Sequence, residues 1–244
     1  MRILGHRGAS ADFPENTMEA FEGALAQKAD GFELDVMRCA TGELVVCHDE
    51  WLDRLSGLHW EVLTTPWWKL KDVDVGSALG FRPARSPLLE DVLDLVSAKV
   101  VCNVELKCET TDDHGLSLAV GELLSKRRLG GQVFVSSFNP LCLVRLAGAF
   151  PKLRRGLLID PERAWIPQAW GWLPLTARTS VHPHFSQVTP ERVNRWHALE
   201  LEVAVWTVDE VDEARRLRAM GVNWVITNKP GELRSQLKRA QPYE

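Results

Sequence analysis

Seven side chains suited to acid–base or phosphate chemistry lie in short apolar stretches within the first 107 residues. His6 and Arg7 sit in Gly5-His6-Arg7-Gly8-Ala9, and Glu33 and Asp35 in Gly31-Phe32-Glu33-Leu34-Asp35-Val36. His48 sits in Val45-Val46-Cys47-His48-Asp49, and Glu105 and Lys107 in Asn103-Val104-Glu105-Leu106-Lys107. In a strand, residues two apart face the same side. Glu33 therefore points with Asp35, and Glu105 with Lys107, while Leu34 and Leu106 face the opposite way. Three converging carboxylates repel one another and are costly to bury without counter-charge. A hard divalent cation with oxygen ligands, Mg²⁺ or Ca²⁺, relieves that repulsion. Any one such carboxylate is more often an exposed salt-bridge partner at a strand end. Two same-face pairs in apolar strands favour a metal site instead. Two histidines at strand ends beside such a cluster fit a general acid and a general base. Arg7 and Lys107 supply positive charge for non-bridging phosphate oxygens; their plainer role is to neutralise the carboxylates.

Side chains this far apart in sequence need strands that end side by side. Strand signals cover Arg2 to Gly5, Gly31 to Val36, Leu44 to Cys47, Val100 to Leu106, Val133 to Ser136, Leu153 to Ile159, Arg178 to His182, Val203 to Val208 and Trp224 to Thr227. Helix signals alternate with them. The first runs from an Asn16 or Thr17 cap through Lys28, with Met18, Phe21, Ala24 and Leu25 on one face. The others cover Leu88 to Ala98, His114 to Arg127 (stopped by Gly130-Gly131), Pro140 to Ala149, Pro190 to Leu199 capped by Thr189, Asp209 to Met220, and Pro230 to Arg239. These make about eight strand–helix units, the number that closes a parallel TIM (β/α)8 barrel of ~250 residues. The expected organisation is one α/β domain over residues 1–244. The competing fold, an open doubly wound sheet, favours a G-x-G-x-x-G loop, and Gly5-His6-Arg7-Gly8 lacks that spacing. Residues of about 50–87 break the rhythm and hold Trp51, Trp60, Trp67 and Trp68. So long a connection reads as an insertion near the barrel mouth or as a satellite core packed by tryptophans.

Composition narrows the function. Basic residues number 29 against 33 acidic ones, a net charge of −4, which excludes the basic footprint of a nucleic-acid binder. Five cysteines without a close Cys-x-x-Cys pair read as free thiols in a reducing compartment. Met1-Arg2-Ile3-Leu4 reads as the start of a strand rather than a leader. No apolar run approaches the ~20 residues of a membrane helix. The expectation is a soluble cytoplasmic protein with no transmembrane segment. Nothing in the sequence sets an oligomeric state.

In chain order, further motifs accompany these groups: Pro14-Glu15-Asn16-Thr17, Ala20-Phe21, Leu52-Asp53-Arg54, Ser136-Ser137-Phe138, Val205-Trp206-Thr207-Val208, Gly221-Val222 and Ile226-Thr227-Asn228-Lys229-Pro230. With His6-Arg7-Gly8, Glu33-Leu34-Asp35-Val36, His48-Asp49 and Asn103-Val104-Glu105-Leu106-Lys107, the chain resembles the glycerophosphodiester phosphodiesterase family over nearly its whole length. The resemblance implies a TIM barrel and metal-dependent hydrolysis of small glycerophosphodiesters to glycerol 3-phosphate and an alcohol. It implies one divalent metal, Mg²⁺ or Ca²⁺, on Glu33, Asp35 and Glu105, acid–base catalysis by His6 and His48, and phosphate binding by Arg7 and Lys107.

Three positions depart from the family pattern. The usual Thr-x-Asp-Gly turn is Cys39-Ala40-Thr41-Gly42; Leu55 follows Asp53-Arg54 where threonine is common; and the late Thr-Asp-x-Pro is Thr227-Asn228-Lys229-Pro230. Phe138 and Trp206 are candidate walls of the substrate pocket, with a core role as the alternative. His182 and His184 flank Pro183, and a turn role there outweighs contact with substrate. Pro14-Glu15-Asn16-Thr17 is expected to position the first loop and cap the first helix, with Glu15 supporting Arg7. The cysteines are expected to be buried or inert. The expected direction has His6 as base and His48 as acid, although the sequence does not fix it; the attacker is water or the glycerol 2-hydroxyl. The alternatives are a lysophospholipase D-type activity, with the tryptophan-rich insertion admitting an acyl chain, and a non-catalytic barrel that binds a phosphorylated ligand.

Overall fold

Eight parallel strands close on themselves in a computed structural model that describes residues 1–129, 131–160 and 179–238. In chain order the strands are β1 (Arg2–Gly5), β2 (Gly31–Arg38), β3 (Leu44–Val46), β4 (Val101–Leu106), β5 (Val133–Ser137), β6 (Arg154–Ile159), β7 (Ser180–Pro183), β8 (Glu202–Val205) and β9 (Trp224–Thr227). All but β3 pair in parallel. β1 joins both β2 and β9, which closes the TIM barrel.

Helices cover the outside: α1 (Met18–Ala26), α2 (Asp53–Ser56), α3 (Trp67–Leu70), α4 (Leu89–Val92), α5 (Leu116–Arg127), α6 (Pro140–Ala149), α7 (Pro190–Ala198), α8 (Val211–Ala219) and α9 (Pro230–Lys238). Their starts follow local chemistry. Thr17 caps α1, its hydroxyl accepting from the Ala20 N–H at 3.3 Å. Asn139 and Thr189 cap α6 and α7 ahead of Pro140 and Pro190, whose missing N–H costs nothing in a first turn. The alternation of each strand splits its residues between two cores. Leu34, Val104 and Leu106 pack outward against the helices. Leu4, Phe134, Ala204, Trp224 and Ile226 fill the barrel interior. Full burial of such side chains contributes about 1.5–3 kcal/mol each.

Several elements differ from the sequence reading. β3 pairs antiparallel with β2 and lies off the ring, so it is the return arm of a hairpin and not a barrel strand. The helix expected from Leu88 to Ala98 is only α4 followed by a 3-10 turn, Leu93–Leu95. Leu88 is held extended by a bridge to Val45, which delays the helix. α1 stops at Ala26 because Lys28 turns to φ +66. α5 starts at Leu116 because His114 and Gly115 are left-handed. β8 ends at Val205. Gly130, Arg178 and Arg239, placed by the sequence at a helix stop, a strand start and a helix end, lie outside the described residues.

The segment 50–87 builds a satellite core with the hairpin. Cys39, Val45, Cys47, Leu52, Leu55, Val62, Leu70, Val73 and Val75 are its buried members. Trp60 and Trp67 only edge it, and Trp51 and Trp68 are exposed at 42% and 63%, so aliphatic side chains rather than tryptophans fill it. Leu55, one of the departures from the family pattern, is simply part of this core. Among the described residues no helix is long and apolar enough to cross a membrane.

Candidate active site

The strand register explains how distant residues meet. β2 and β4 pair with Asp35 opposite Glu105, so their inward carboxylates are neighbours. Oxygen atoms of Glu33, Asp35 and Glu105 lie within 4.8 Å of one another, and all three residues are buried. β1 and β9 pair with Gly5 opposite Thr227, which puts His6 beside Asn228. The Cys47 N–H donates to the Asp35 carbonyl at 3.1 Å, and this carries His48 to the same cluster. His48 thus follows a strand end, as the sequence suggested, and that strand is the hairpin's return arm. Gly8 makes the first loop possible: its φ is +85, and a Cβ there would lie 2.4 Å from the Ala20 carbonyl carbon.

Each ionisable group has defined partners. Arg7 Nη1 lies 2.8 Å from Glu15 Oε1, its Nε lies 3.3 Å from Asp35 Oδ2, and its backbone N–H donates to Glu33 Oε2 at 3.0 Å. Lys107 Nζ lies 2.9 Å from Glu105 Oε1 and 3.8 Å from Asp35 Oδ1. The two cations therefore neutralise the carboxylates, and the expected support of Arg7 by Glu15 is present. His6 Nδ1 lies 2.7 Å from Asn228 Oδ1. His48 Nδ1 lies 2.6 Å from Asp49 Oδ1, Asp49 pairs with Arg54 at 2.7 Å, and Arg54 pairs with Glu15 at 2.7 Å. One polar chain thus ties the His48 loop back to Arg7.

The electrostatics of the carboxylates diverge. Burial, followed by Asp35 and Glu105 alongside, pushes Glu33 well above the usual carboxylate range. Burial opposes ionisation of Asp35 too, but Lys107 and Arg7 outweigh it and hold Asp35 down to about 2. Burial also raises Glu105, against the pull of Lys107. The His6 imidazole is pushed down to about 4, first by burial and then by Arg7. Among the described residues, Glu33 Oε1 is buried without a hydrogen-bond partner. An all-oxygen set of three carboxylates with one such orphaned oxygen fits a hard divalent cation, and the cluster can hold one.

His6, Arg7, Glu33, His48, Glu105 and Lys107 line a cavity of about 200 Å³ with Asn103, Phe138, Leu158, Asp160, Trp206 and Thr207. The Phe138 and Trp206 rings meet edge to face at 5.4 Å. The Trp206 indole N–H donates to the His182 carbonyl at 2.8 Å. A second cavity of about 410 Å³ shares His48 and Lys107 with the first and runs between Met37, Trp51, Leu63 and Leu116. The insertion reaches the mouth here, through Glu50, Trp51 and Leu63. His182 is buried inside the barrel against Ser180, and His184 packs 5.1 Å from Trp206; neither lines the two cavities. Cys47 is inert, its thiol pushed up to about 12 by burial. Cys108 departs from the expectation of inert cysteines: it borders the larger cavity, and a hydrogen bond with Cys142 brings it down to about 6.

Sequence reasoning gave no role to Asp49, Arg54 or Asp209, and gave Asn16 only that of an alternative helix cap. Asn16 donates to Asp35 Oδ2 at 2.9 Å and accepts from the Asp35 N–H at 3.2 Å, which fixes that carboxylate. Its only signal was its place in Pro14-Glu15-Asn16-Thr17, where Thr17 accounts for the helix cap.

A TIM barrel that gathers carboxylates, histidines and cations at one end is equipped to hydrolyse a phosphate ester. The profile of the glycerophosphoryl diester phosphodiesterase family matches residues 6–232. A glycerophosphodiester phosphodiesterase from Caldanaerobacter subterraneus is 31% identical over 234 residues, covering 95% of each chain. Among solved structures, a phosphodiesterase from Oleispira antarctica in complex with the product sn-glycerol-3-phosphate superposes with a TM-score of 0.83 at 26% identity, over 98% of this chain and 97% of that one. A glycerophosphodiester phosphodiesterase from Thermotoga maritima gives a TM-score of 0.79 at 29% identity over 98% of both chains. The chain belongs to the glycerophosphoryl diester phosphodiesterase family and is a phosphoric diester hydrolase.

Proposed function

We propose that the protein hydrolyses small glycerophosphodiesters to sn-glycerol 3-phosphate and an alcohol, with a divalent cation and with His6 and His48 as its proton-transfer pair. The observation that carries this reading is the single cavity joining both histidines, Arg7, Lys107 and the Glu33–Glu105 pair, with Asp35 beside them. Glu33, Asp35 and Glu105 would hold the cation. When bound, Mg²⁺ or Ca²⁺ supplies Lewis-acid stabilisation of charge on a phosphate oxygen. Arg7 and Lys107 turn their positive charge to the other non-bridging oxygens. His6 takes the proton of the attacking hydroxyl, from water or the glycerol 2-hydroxyl. His48 gives a proton to the departing alcohol as its phosphorus–oxygen bond breaks. Phe138 and Trp206 wall the glycerol, and the larger cavity beyond His48 and Lys107 receives the alcohol. The five free cysteines favour a reducing, cytoplasmic setting.

The test is release of glycerol 3-phosphate from glycerophosphocholine and glycerophosphoethanolamine after chelation and after restoring Mg²⁺ or Ca²⁺. Metal-restored release is expected. Release from neither substrate with either metal overturns the reading, and turnover confined to lysophosphatidylcholine replaces it with a lysophospholipase D activity.

A further inference from the structure

The two histidines have unlike partners at the same ring nitrogen. Asp49 offers His48 Nδ1 a carboxylate, whereas Asn228 offers His6 Nδ1 an amide. An asparagine can turn either end toward a ring. Here its neighbours decide. Asn228 Nδ2 donates to Asp209 Oδ2 at 2.7 Å, and the Asn228 backbone N–H donates to Asp209 Oδ1 at 2.8 Å. The Thr227 hydroxyl donates to the same Asp209 Oδ1 at 2.9 Å, which pins the carboxylate. The Ser10 hydroxyl donates to Asn228 Oδ1 at 2.8 Å. The amide oxygen must therefore face His6, and it can only accept. The ring proton then resides on Nδ1, and Nε2 keeps its lone pair.

Charged groups face His6 from several elements. Arg7 follows it on the same loop, Asp35 comes from β2, and His48 from the hairpin. Glu33, Glu105 and Lys107 line the same cavity, as does Asp160 from the end of β6. Asp209 stands one residue further back, behind the neutral amide. A carboxylate in direct contact with Nδ1 would favour the imidazolium, so that Nε2 would lose its lone pair at a higher pH.

We propose that Asn228, locked by Asp209, is the positioning residue that presents His6 with Nε2 open and so makes it the base, while Asp49 gives His48 the partner suited to an acid. The inference rests on the proposed pairing of His6 with His48, and it gives the reaction a built-in direction. The proton leaves the attacking hydroxyl through His6 Nε2, and another reaches the leaving oxygen from His48.

The double variant Asp209→Asn/Asn228→Asp keeps the net charge and the hydrogen-bond pattern but moves the carboxylate against His6. The acid limb of its kcat/KM–pH profile is expected to move up by about 1–3 units. The rate near pH 5 should fall by about 2- to 100-fold and recover toward neutral pH, with KM little changed. An unmoved acid limb overturns the proposal. Nitrogen-15 NMR of the unsubstituted protein tests it without turnover. His6 is expected to carry its proton on Nδ1 alone at neutral pH; a proton on Nε2, or on both nitrogens, overturns the proposal. Because that measurement needs no substrate, its failure is distinct from a failure to hydrolyse any phosphodiester.

Discussion

The inner faces of the same strands carry two unlike layers. The lower one is Leu4, Phe134, Ala204, Trp224 and Ile226, an apolar plug. Two residues further along, β1 leads to His6, β8 to Trp206, and β9 to Asn228; β2 and β4 carry Glu33, Asp35 and Glu105. A rise of about 7 Å thus separates a dry floor from a cluster of ionisable groups. The comparison teaches that one alternation serves both layers. The floor stabilises the barrel and excludes water from below, and that exclusion is why burial leads among the causes that raise Glu33 and lower His6. The upper layer is a liability for stability that a bound divalent cation would relieve.

The sharpest way to separate the layers is to remove a group from each. His6→Ala and His48→Ala should each lower kcat by about 10²–10⁴-fold while the thermal midpoint stays near that of the parent, as steady-state kinetics and melting curves will show. Loss of activity only in proportion to unfolded protein would erase the distinction. In the floor, Phe134→Ala should cost about 3–5 kcal/mol of stability, read as a lower urea midpoint, with KM preserved in the folded fraction. A change in KM without a change in the urea midpoint would mean that the floor takes part in binding.

Smaller effects probe the seam between chemistry and scaffold. Asn16→Ala removes both contacts that orient Asp35 and should weaken Mg²⁺ or Ca²⁺ binding about 10–100-fold, measured by titration calorimetry; an unchanged affinity would show that Asp35 is set by Arg7 and Lys107 alone. Glu33 gives the smallest and most condition-dependent effect. Its folded-state pKa is raised, so above pH 4.5 the unfolded chain binds fewer protons at this site than the native one, and its contribution to stability falls as pH rises. Glu33→Gln should therefore raise the melting temperature of chelated protein at pH 7 by about 2–4 °C for each kcal/mol gained, and little at pH 4. Asp35 has the opposite sign: held down to about 2, it contributes stability above pH 3.8 that is lost as pH falls toward 2. Equal melting shifts for Glu33→Gln at both pH values would contradict the assignment of strain to that carboxylate.

Much of this was legible locally. Same-face spacing in Glu33-Leu34-Asp35 and Glu105-Leu106-Lys107 located the cluster, and Thr17 and Thr189 marked helix starts, because alternation and capping involve residues within one turn or strand. The role of β3 was not legible. Nothing in Leu44-Val45-Val46 distinguishes a hairpin arm from a barrel strand, so the sequence placed His48 at a strand end without saying which kind. Asn228 stood out only as a departure from the family pattern, and the contact that gives it meaning joins residues 222 positions apart.

The sequence by itself determined the inventory and its facing: which groups are ionisable, which share a side of a strand, and that about eight strand–helix units follow one another. Those are properties of short stretches and of covalent geometry. Only the tertiary structure decided which of them meet. Closure of β1 onto β9 sets His6 against Asn228, the hairpin brings His48 to Asp35, and Asp209 orients an amide that sequence alone leaves free to turn. Hydrogen-bond direction and burial depend on neighbours that arrive from the far end of the chain.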